Sequence, residues 1–393
     1  MISVEQALDI VNKHSNPSFN HELKNLEDAL GSVLLKDVVS PINMPPFRQS
    51  AMDGYALALG DSDSYKIIAE VKAGDNKHPV LKKGEAVRIF TGAPVPDTAN
   101  AVIMQEKVRI KDTSLLLEQS IVPDANIRAM GEQVTSGQIA LEKGTPLTPA
   151  AIGFLTSLGI TKVAVYKQPQ IAIVVTGNEL AQAGTELAYG QIYESNAIML
   201  SSVLANLGFT NTSVHSVADD YNSTVSLLNT VINDNDVVLV SGGISVGDYD
   251  YVGKALDQLG VKELFYKVKQ KPGKPLFYGK KDNKLVFALP GNPGAALTCF
   301  YVYVLLALQR LSGNLNYSAK TITARANSNF IKKGERAQFL KAHFQEGRVT
   351  ILDGQNSSML HTFALANAFV FMPEHATSIA VDQEVQVIML PIN

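Results

Sequence analysis

An alternation of apolar strands with amphipathic helices between residues 169 and 312 constrains this fold most strongly. Strands are predicted at Ile171–Thr176, Val214–Ala218, Val237–Ser241, Leu264–Val268 and Leu285–Leu289. Helices are predicted at Asn196–Leu207, Ser223–Asn233, Tyr251–Leu259 and Gly294–Leu311. Apolar strands separated by amphipathic helices predict a doubly wound parallel sheet covered on both faces. The fold class is therefore multidomain α/β, with this region as the central domain.

The segments on either side have other periodicities and predict three further domains. We place a helical domain at residues 1–40 plus 141–168, an inserted β-rich domain at 41–140, the α/β domain at 169–318 and a C-terminal β-barrel domain at 319–393. In the helical domain, Ser3 and Gln6 form a capping box, Leu26–Leu34 is a second helix, and Thr148-Pro149 begins a third. The short strands predicted in the insertion are Tyr65–Val71, Ala86–Phe90, Ala101–Glu106, Leu115–Leu117 and Ile121–Val122.

Charge and cysteine content narrow the class of protein. The formal net charge is only -3, from 34 basic and 37 acidic residues, which argues against a nucleic acid or a membrane surface as the main partner. The single cysteine, Cys299, lies in the apolar run 295–308 and is predicted to be a buried structural thiol in a core helix. The start of the chain lacks the pattern of a signal peptide, so we expect a cytoplasmic protein.

Three glycine-bearing turns follow apolar strands in the α/β region. They are Ser241–Asp250, Lys271–Pro275 and Leu289–Gly294. Glycine turns at strand ends let backbone N–H groups close on an anion, and the next helix N-terminus adds partial positive charge. In the first turn, Asp248 or Asp250 could bind Mg²⁺. Since the ligands of such sheets lie at the carboxyl ends of the strands, the pattern predicts a phosphorylated ligand beside a metal ion.

Charged residues near these turns have two interpretations each. Glu179, in Thr176–Leu180, lies either in a plain strand-to-helix turn or at a divalent cation. The lysines of the 261–284 segment divide into two groups. Lys280, Lys281 and Lys284 flank a turn and are interpreted as a solvated hairpin face, whereas phosphate or oxyanion contacts are predicted for Lys267, Lys271 and Lys274.

Six ordered motifs together resemble the molybdopterin molybdenumtransferase family, that is, MoeA-type proteins and the gephyrin E domain. The motifs are Ser-Ala-Met-Asp-Gly-Tyr-Ala (50–56), Thr-Gly-Ala-Pro-Val-Pro (91–96), Thr-Gly-Asn-Glu-Leu (176–180), Ser-Gly-Gly-Ile-Ser-Val-Gly-Asp-Tyr-Asp (241–250), Lys-Pro-Gly-Lys-Pro (271–275) and Leu-Pro-Gly-Asn-Pro (289–293). The resemblance covers essentially the whole chain. It implies an enzyme that uses Mg²⁺ to insert molybdenum from molybdate into adenylylated molybdopterin, with release of AMP.

The resemblance also implies residue roles. The catalytic positions it implies are Asp53, Thr91, Glu179, Asp219, Asp250, Lys267 and Lys271, and Glu179, Asp219 and Asp250 would hold the metal. The resemblance places Pro290, Pro293 and Ser357 at the cofactor, and the glycine turn and the lysine pattern add Ser241, Gly242, Gly243, Ser245, Gly247 and Lys274 as cofactor-binding positions. In the family's homodimer, Asp53 and Thr91 reach the partner's α/β domain. A molybdopterin adenylyltransferase is a further expected partner.

Three positions depart from the family's pattern, and rival functions stay open. Gln133 and Asn178 each stand where aspartate is common, and Lys341 stands where arginine is frequent. One rival function is molybdopterin adenylyltransferase, and another is a non-catalytic molybdopterin-binding or scaffold protein. The sequence does not distinguish molybdenum from tungsten, because their oxyanions are similar in size.

Overall fold

The computed structural model describes residues 1–17, 21–244 and 251–392, and the chain divides into two compact units. The main unit comprises Met1–Glu22, Gly31–Leu35 and Val165–Asn393, and the insert unit comprises Leu23–Leu30 and Lys36–Ala164. The main unit contains both the α/β sheet and the C-terminal barrel. The four domain boundaries set out above remain predictions.

Up to residue 166, short strands predominate over helices. The helices are α1 (Val4–His14) and α2 (Pro149–Ser157), with single 3₁₀ turns at Leu26–Asp28 and Gln105–Lys107. The strands are β1 (His21–Asn25), β2 (Val38–Val39), β3 (Gln49–Ser50), β4 (Gly54–Leu57), β5 (Ser64–Val71), β6 (Glu85–Ile89), β7 (Ala101–Met104), β8 (Val108–Lys111), β9 (Ser114–Leu117), β10 (Ile127–Arg128), β11 (Ile139–Leu141) and β12 (Lys162–Tyr166). A six-stranded sheet in the order β7-β4-β6-β5-β9-β8 forms the centre of the insert unit. Four of the five strands predicted in the insertion are confirmed.

Three local predictions in this region need correction. The helix predicted at Leu26–Leu34 is wrong, because Gly31 has φ +75° and Leu34 forms a bridge to Val165 instead. No strand forms at 121–122, where Val122 is 69% exposed and contributes little to a core. Conversely, no strand is among those predicted from the sequence at 54–57, where β4 forms and is buried along its whole length. Gly54 and Ala56 weaken the strand signal of this four-residue segment, and burial between β6 and β7 decides its conformation.

The α/β region forms the predicted sheet with one reversed strand. Its strands are β13 (Ile171–Thr176), β14 (Leu180–Ala181), β15 (Ile192–Tyr193), β16 (Thr212–Val217), β17 (Val237–Ser241), β18 (Lys262–Tyr266), β19 (Gln270–Lys271), β20 (Phe277–Lys281) and β21 (Lys284–Leu289). The main sheet has the order β16-β13-β17-β21-β20-β18, with β16, β13, β17 and β21 parallel. Strand β20 is antiparallel because a two-residue turn at Asp282-Asn283 (φ +52° at Asp282) folds it directly onto β21.

Helices cover both faces of this sheet, as predicted. They are α3 (Asn196–Asn206), α4 (Tyr221–Asp234), α5 (Tyr251–Gln258), α6 (Pro293–Cys299) and α7 (Leu305–Leu311). Helices α1, α3, α6 and α7 share one hydrophobic cluster with the sheet, and α4 and α5 share the cluster on the other face. The capping box that begins α1 forms as predicted, since Gln6 N donates to Ser3 Oγ and Ser3 N donates to Gln6 Oε1.

The last helix of the α/β region is a core element. A π-helical segment, Phe300–Val304, joins α6 to α7, and Cys299 at the junction is fully buried. Burial raises the pKa of its thiol, which confirms the prediction of an unreactive structural cysteine. Among the described residues, Pro293–Leu311 is the one helix long and apolar enough to cross a membrane, and 67% of its most apolar window is buried. It therefore packs as the predicted core helix.

The C-terminal region is a closed sheet. Its elements are β22 (Thr321–Ala326), β23 (Phe330–Ile331), β24 (Ala337–Gln345), β25 (Arg348–Ile351), α8 (His361–Leu365), β26 (Ala368–Met372), β27 (Ser378–Ile379) and β28 (Glu384–Met389). The order β19-β24-β25-β22-β28-β26 closes through a further pairing of β24 with β26. Strand β19 pairs in parallel with β24, so the lysine-bearing turn at 271–275 begins on the barrel.

Replacing Phe287 with alanine should destabilise the main unit. Phe287 is fully buried on β21 and stacks on Tyr278 with a centroid separation of 4.5 Å. The cavity left by removing this side chain should lower the free energy of unfolding by about 3–5 kcal/mol. Urea unfolding followed by circular dichroism should show this loss, whereas the control Ile198→Ala, at a side chain 64% exposed, should change stability by less than about 0.5 kcal/mol. Equal losses would contradict the assigned core.

Candidate functional site

A cavity of about 640 Å³ opens at the carboxyl edge of the parallel sheet, where sequence analysis predicted the ligand. It lies beyond the ends of β13, β17 and β21. Its walls include seven of the predicted site residues: Glu179, Asp219, Ser241, Gly242, Gly243, Pro290 and Pro293. The structure thus brings together side chains from four separate segments of the chain.

Glycine is required where two of these segments meet. Gly242 has φ +97°, and a Cβ built on it would lie 2.6 Å from the carbonyl oxygen of Thr176. The same methyl position on Gly291 would lie 3.7 Å from the Cα of Gly242. The backbones that end β13 and β17 therefore approach each other more closely than a side chain on Gly242 would permit, whereas Gly291 is in ordinary contact with Gly242.

The Asn196 side chain ties two of the glycine loops together. Its Nδ2 donates to Ser241 Oγ at 2.8 Å and to the carbonyl oxygen of Gly291 at 2.7 Å. Asn196 begins α3, and Glu194 accepts the backbone N–H of Ala197 at that N-terminus. Sequence analysis missed Asn196. Its only sequence signal was a polar residue at the predicted start of a helix, which is too common to indicate a site.

The Asp219 carboxylate is held at the cavity by β13 and the turn that follows it. Asp219 Oδ1 accepts from Thr176 Oγ1 at 2.6 Å, and Oδ2 accepts from the backbone N–H of Asn178 at 3.3 Å. The Asn178 side chain returns the contact, accepting the Asp219 backbone N–H at 3.1 Å. An asparagine at 178 serves this contact through its carbonyl oxygen, so this departure from the family's pattern is compatible with the local geometry.

The second cavity carboxylate, Glu179, folds back over the preceding glycine. A Cβ on Gly177 would lie 2.8 Å from a Glu179 carboxylate oxygen, so this carboxylate lies directly against the Gly177 backbone. Glu179 and Asp219 both line the cavity, as does Glu194, whose carboxylate already accepts a hydrogen bond from Ala197. Hard oxygen donors of this kind suit Mg²⁺, which is commonly held by one or two carboxylates and by the phosphates of a substrate.

The barrel contributes one wall through the loop 354–359. Ser358 lines the cavity, and Ser357 Oγ accepts from Asn292 Nδ2 at 3.0 Å. The Ser357 carbonyl oxygen accepts from the backbone N–H of Ala295 at 3.1 Å and would lie 2.8 Å from a Cβ on Gly294. The loop therefore packs directly on the first turn of α6. Ser357 itself contacts that turn.

Lys341 shapes this loop from beneath. The side chain is 2% exposed, and its Nζ donates to the carbonyl oxygens of Gly354 (2.8 Å), Asn356 (3.3 Å) and Met359 (2.8 Å). Burial lowers the pKa of this ammonium. Three carbonyl acceptors match the three donors of a lysine, so the charge at this position is used to hold the 354–359 loop.

The remaining predicted residues are not gathered at this cavity. Of the described residues in the 267–275 segment, only Pro275 lines it, and the three predicted lysines lie elsewhere on that segment. Lys267 has φ +66°, and its Nζ lies 4.5 Å from the Tyr266 ring centroid. Asp250, Ser245 and Gly247 lie outside the described residues.

Asp53 and Thr91 form a polar pair within the insert unit. The Asp53 carboxylate accepts both the backbone N–H and the hydroxyl of Thr91, each at 2.8 Å, and lies fully in solvent. These hydrogen bonds lower the pKa of Asp53, the backbone contact having the larger effect. The two residues predicted from separate motifs thus act as one unit.

The described residues hold no cluster of three histidine, cysteine or acidic side chains around a common point. Asp250 lies outside the described residues, so only Glu179 and Asp219 of the three predicted metal ligands are placed by the structure. These two still fit Mg²⁺ by donor chemistry, since a phosphorylated substrate supplies further oxygens.

The fold and this cavity define a protein with an α/β domain of the molybdopterin-binding type. A model of the MoeA N-terminal region (domain I and II) matches residues 2–159, a model of a probable molybdopterin binding domain matches 172–310, and a model of the MoeA C-terminal region (domain IV) matches 323–390. The three matches run in order along nearly the whole chain.

Full-length relatives identify the family. The chain is 32% identical to a molybdopterin molybdenumtransferase from Haemophilus influenzae, over 93% of both chains. It is 30% identical to another from Staphylococcus epidermidis, over 100% of this chain and 96% of the relative. A MoeA protein structure from Pyrococcus horikoshii OT3 superposes with a TM-score of 0.86 at 28% identity, covering 99% and 100% of the two chains. The chain belongs to the MoeA family, as the six motifs predicted.

The backbone N–H and the hydroxyl of Thr91 should each lower the pKa of Asp53. We expect Asp53 to titrate below 3.8 in the native protein, and Thr91→Val should move its midpoint only partway back, because the larger contribution comes from the Thr91 backbone N–H. Since the folded-state pKa is depressed, the stabilisation from this carboxylate is present above its unfolded pKa and is lost as the pH falls through the folded value. Carbon-detected NMR titration of the Asp53 carboxyl measures both midpoints. An unshifted midpoint in the native protein would contradict the paired geometry.

Gly242→Ala should perturb the cavity more than the same change at an open turn. Gly242 and Gly260 both have positive φ (+97° and +72°), but only Gly242 has a backbone atom within 4 Å of the new methyl. We expect Gly242→Ala to lower the melting temperature by several degrees more than Gly260→Ala. Differential scanning calorimetry compares them, and equal shifts would mean that backbone strain alone is responsible.

Proposed function

We propose that this protein inserts molybdenum from molybdate into adenylylated molybdopterin with release of AMP. The observation that carries the proposal is the cavity at the sheet edge, where glycine backbones and two carboxylates converge in a chain of this family. The names of the full-length relatives confirm the predicted class of enzyme, a molybdopterin molybdenumtransferase. The substrate form, AMP release and Mg²⁺ dependence are part of the proposal.

In this proposal, the loops at the ends of β17 and β21 bind the phosphate groups. Gly242 and Gly243 line the cavity, and backbone N–H groups of glycine-bearing loops at strand ends are typical anion ligands. The N-terminus of α6, where Pro293 is the first helical residue, adds partial positive charge at the same wall. Asn196 keeps the two loops in register, so the binding groups are in place before the substrate arrives.

Glu179 and Asp219 would hold Mg²⁺ together with the substrate's phosphate oxygens. When bound, this ion would offset negative charge on the phosphoanhydride and favour its cleavage. The Thr176 hydroxyl donates a hydrogen bond to the Asp219 carboxylate and so fixes the orientation of that side chain. Lys267, Lys271 and Lys274 are proposed to attract molybdate to the segment that leads into the cavity.

We also propose that the protein acts in the cytoplasm as a homodimer. The basis is the exposed Asp53–Thr91 pair, whose carboxylate is oriented by two hydrogen bonds. An oriented and solvated carboxylate is suited to completing a site on a partner subunit. A molybdopterin adenylyltransferase is the proposed source of the adenylylated substrate.

The rival functions are less well supported by the site. A carrier needs affinity alone, whereas Asp219 is oriented by two hydrogen bonds toward a wall it shares with Glu179. An adenylyltransferase would require the phosphoanhydride to be formed rather than consumed, and the assay below separates the two. The choice between molybdate and tungstate is tested by the same assay with each oxyanion.

The decisive experiment measures AMP release from adenylylated molybdopterin with Mg²⁺, in the presence and absence of molybdate. Molybdate-dependent release is the expected result. Tight binding of the substrate with no AMP in either reaction would favour the carrier function. Formation of adenylylated product from molybdopterin and ATP would favour the adenylyltransferase.

Asp219→Asn should abolish turnover while keeping substrate bound. We expect kcat to fall about 100-fold or more, because an oriented charge is lost from the reacting centre. The Kd of the adenylylated substrate, from isothermal titration, should change less than about fivefold, or about 1 kcal/mol. Asp234→Asn, an exposed carboxylate at the end of α4, is the matched control and should leave both unchanged. Turnover retained in Asp219→Asn would exclude a catalytic role for this carboxylate.

A further inference from the structure

A buried glutamine precedes the lysine-bearing turn at 271–275. Gln270 is 0% exposed, although glutamine is usually found at protein surfaces. It forms β19 together with Lys271 and so lies directly beside the turn. A fully buried amide is costly unless its donors and acceptor are all satisfied, so its partners indicate what it does.

Each end of the Gln270 amide has a buried partner. Its Nε2 donates to the carbonyl oxygen of Pro272 at 3.0 Å and contacts Cys299 Sγ at 3.6 Å. Its Oε1 accepts a short hydrogen bond from the hydroxyl of Tyr303. Burial raises the pKa of Tyr303 far above its ordinary value, so this hydroxyl stays protonated and donates.

The turn itself packs tightly on this network. Gly273 has φ +83°, and a Cβ built on it would lie 2.4 Å from Cys299 Sγ and 2.9 Å from Gln270 Nε2. The Gln270 carbonyl oxygen accepts from Arg336 Nη1 at 3.1 Å, which ties the segment to the barrel as well. The base of the turn is therefore buried, whereas Lys274 is exposed and Lys271 partly so.

The partner tyrosine belongs to the helix that reaches the cavity. Tyr303 lies in the π-helical segment between α6 and α7, and α6 begins with Pro293 at the cavity wall. Cys299, the last residue of α6, and Tyr303 both contact Gln270. One helix thus supports both the lysine turn and a wall of the cavity. A π segment is frequently found at functional sites.

We propose that Gln270 and Tyr303 form a positioning pair that holds the 271–275 turn in the orientation its lysines need to bind the oxyanion substrate. The inference rests on the proposed function and deepens it. Two like-charged lysines on one short turn repel each other, and a fully satisfied buried network selects one backbone arrangement against that repulsion. Neither member of the pair touches the substrate.

Tyr303→Phe is the first test because it removes one hydroxyl and leaves Gln270 Oε1 buried without its partner. We expect the KM for molybdate in the AMP-release assay to rise about tenfold, equivalent to about 1.4 kcal/mol, with kcat and the KM for adenylylated molybdopterin changing less than about twofold. Tyr278→Phe is the matched control. That tyrosine is equally buried in the same cluster, but its hydroxyl contacts Ser15 and not the turn.

Hydrogen exchange gives a readout that does not depend on activity. In Tyr303→Phe, the backbone amides of Lys271, Gly273 and Lys274 should exchange about tenfold faster than in the native protein, while Tyr278→Phe should leave them unchanged. Gln270→Glu provides a second variant, since it keeps an acceptor for Tyr303 but loses the donor to Pro272. It should also accelerate exchange in the turn.

The outcomes separate this inference from the proposed function. Absence of molybdate-dependent AMP release in the native protein would overturn the function, and unchanged exchange in both variants would overturn the positioning role. If exchange rises but the KM for molybdate stays within twofold, the network is merely structural and the inference fails. If Tyr278→Phe raises that KM equally, general loosening of the core is responsible, and the inference fails too.

Discussion

The close approach of two strand ends is the constraint on which the rest of this structure depends. The carbonyl oxygen of Thr176, at the end of β13, lies 2.6 Å from the position that a Cβ on Gly242, just after β17, would occupy. Only glycine permits this contact, because a Cβ would force the two backbones apart. The cavity lies where β13, β17 and β21 end, and Glu179 and Asp219 line it from the adjacent turns.

Partly or fully buried polar side chains maintain the loops around that cavity. Asn196 joins the loops after β17 and β21, Lys341 gathers the carbonyls of 354–359, and Gln270 supports the lysine turn. In each case a side chain donates to backbone carbonyl oxygens that no strand or helix would otherwise satisfy. Loops that bind ligands lack regular hydrogen bonding, so such side chains replace it. The three residues are spread over 146 positions of the sequence, yet all of them lie in the main unit.

Much of the fold was predictable because its signals are local. The spans of β13 and β17 and the start of α3 agree with prediction, since continuous apolar runs and an amphipathic face leave few alternatives. Predictions failed where tertiary contacts outweighed local preference. Gly31 and the Leu34–Val165 bridge replaced a helix, and burial turned the weak segment 54–57 into a strand. Strand β20 itself was not predicted, although the turn at Asp282-Asn283 was interpreted as part of a hairpin and that turn is what reverses the strand.

The sequence alone determined the family, the α/β domain and the sheet edge at which the ligand site would lie, because motif order, apolar periodicity and glycine position are properties of the chain itself. Only the tertiary structure decided what individual polar residues do. Lys341 stood out only as a departure from the family's arginine but holds a loop, while Asn196 and Gln270 carried no signal specific to a site and yet hold loops in place. The physical reason is that a polar side chain is defined by its partners, and those partners lie up to 95 positions away in the chain.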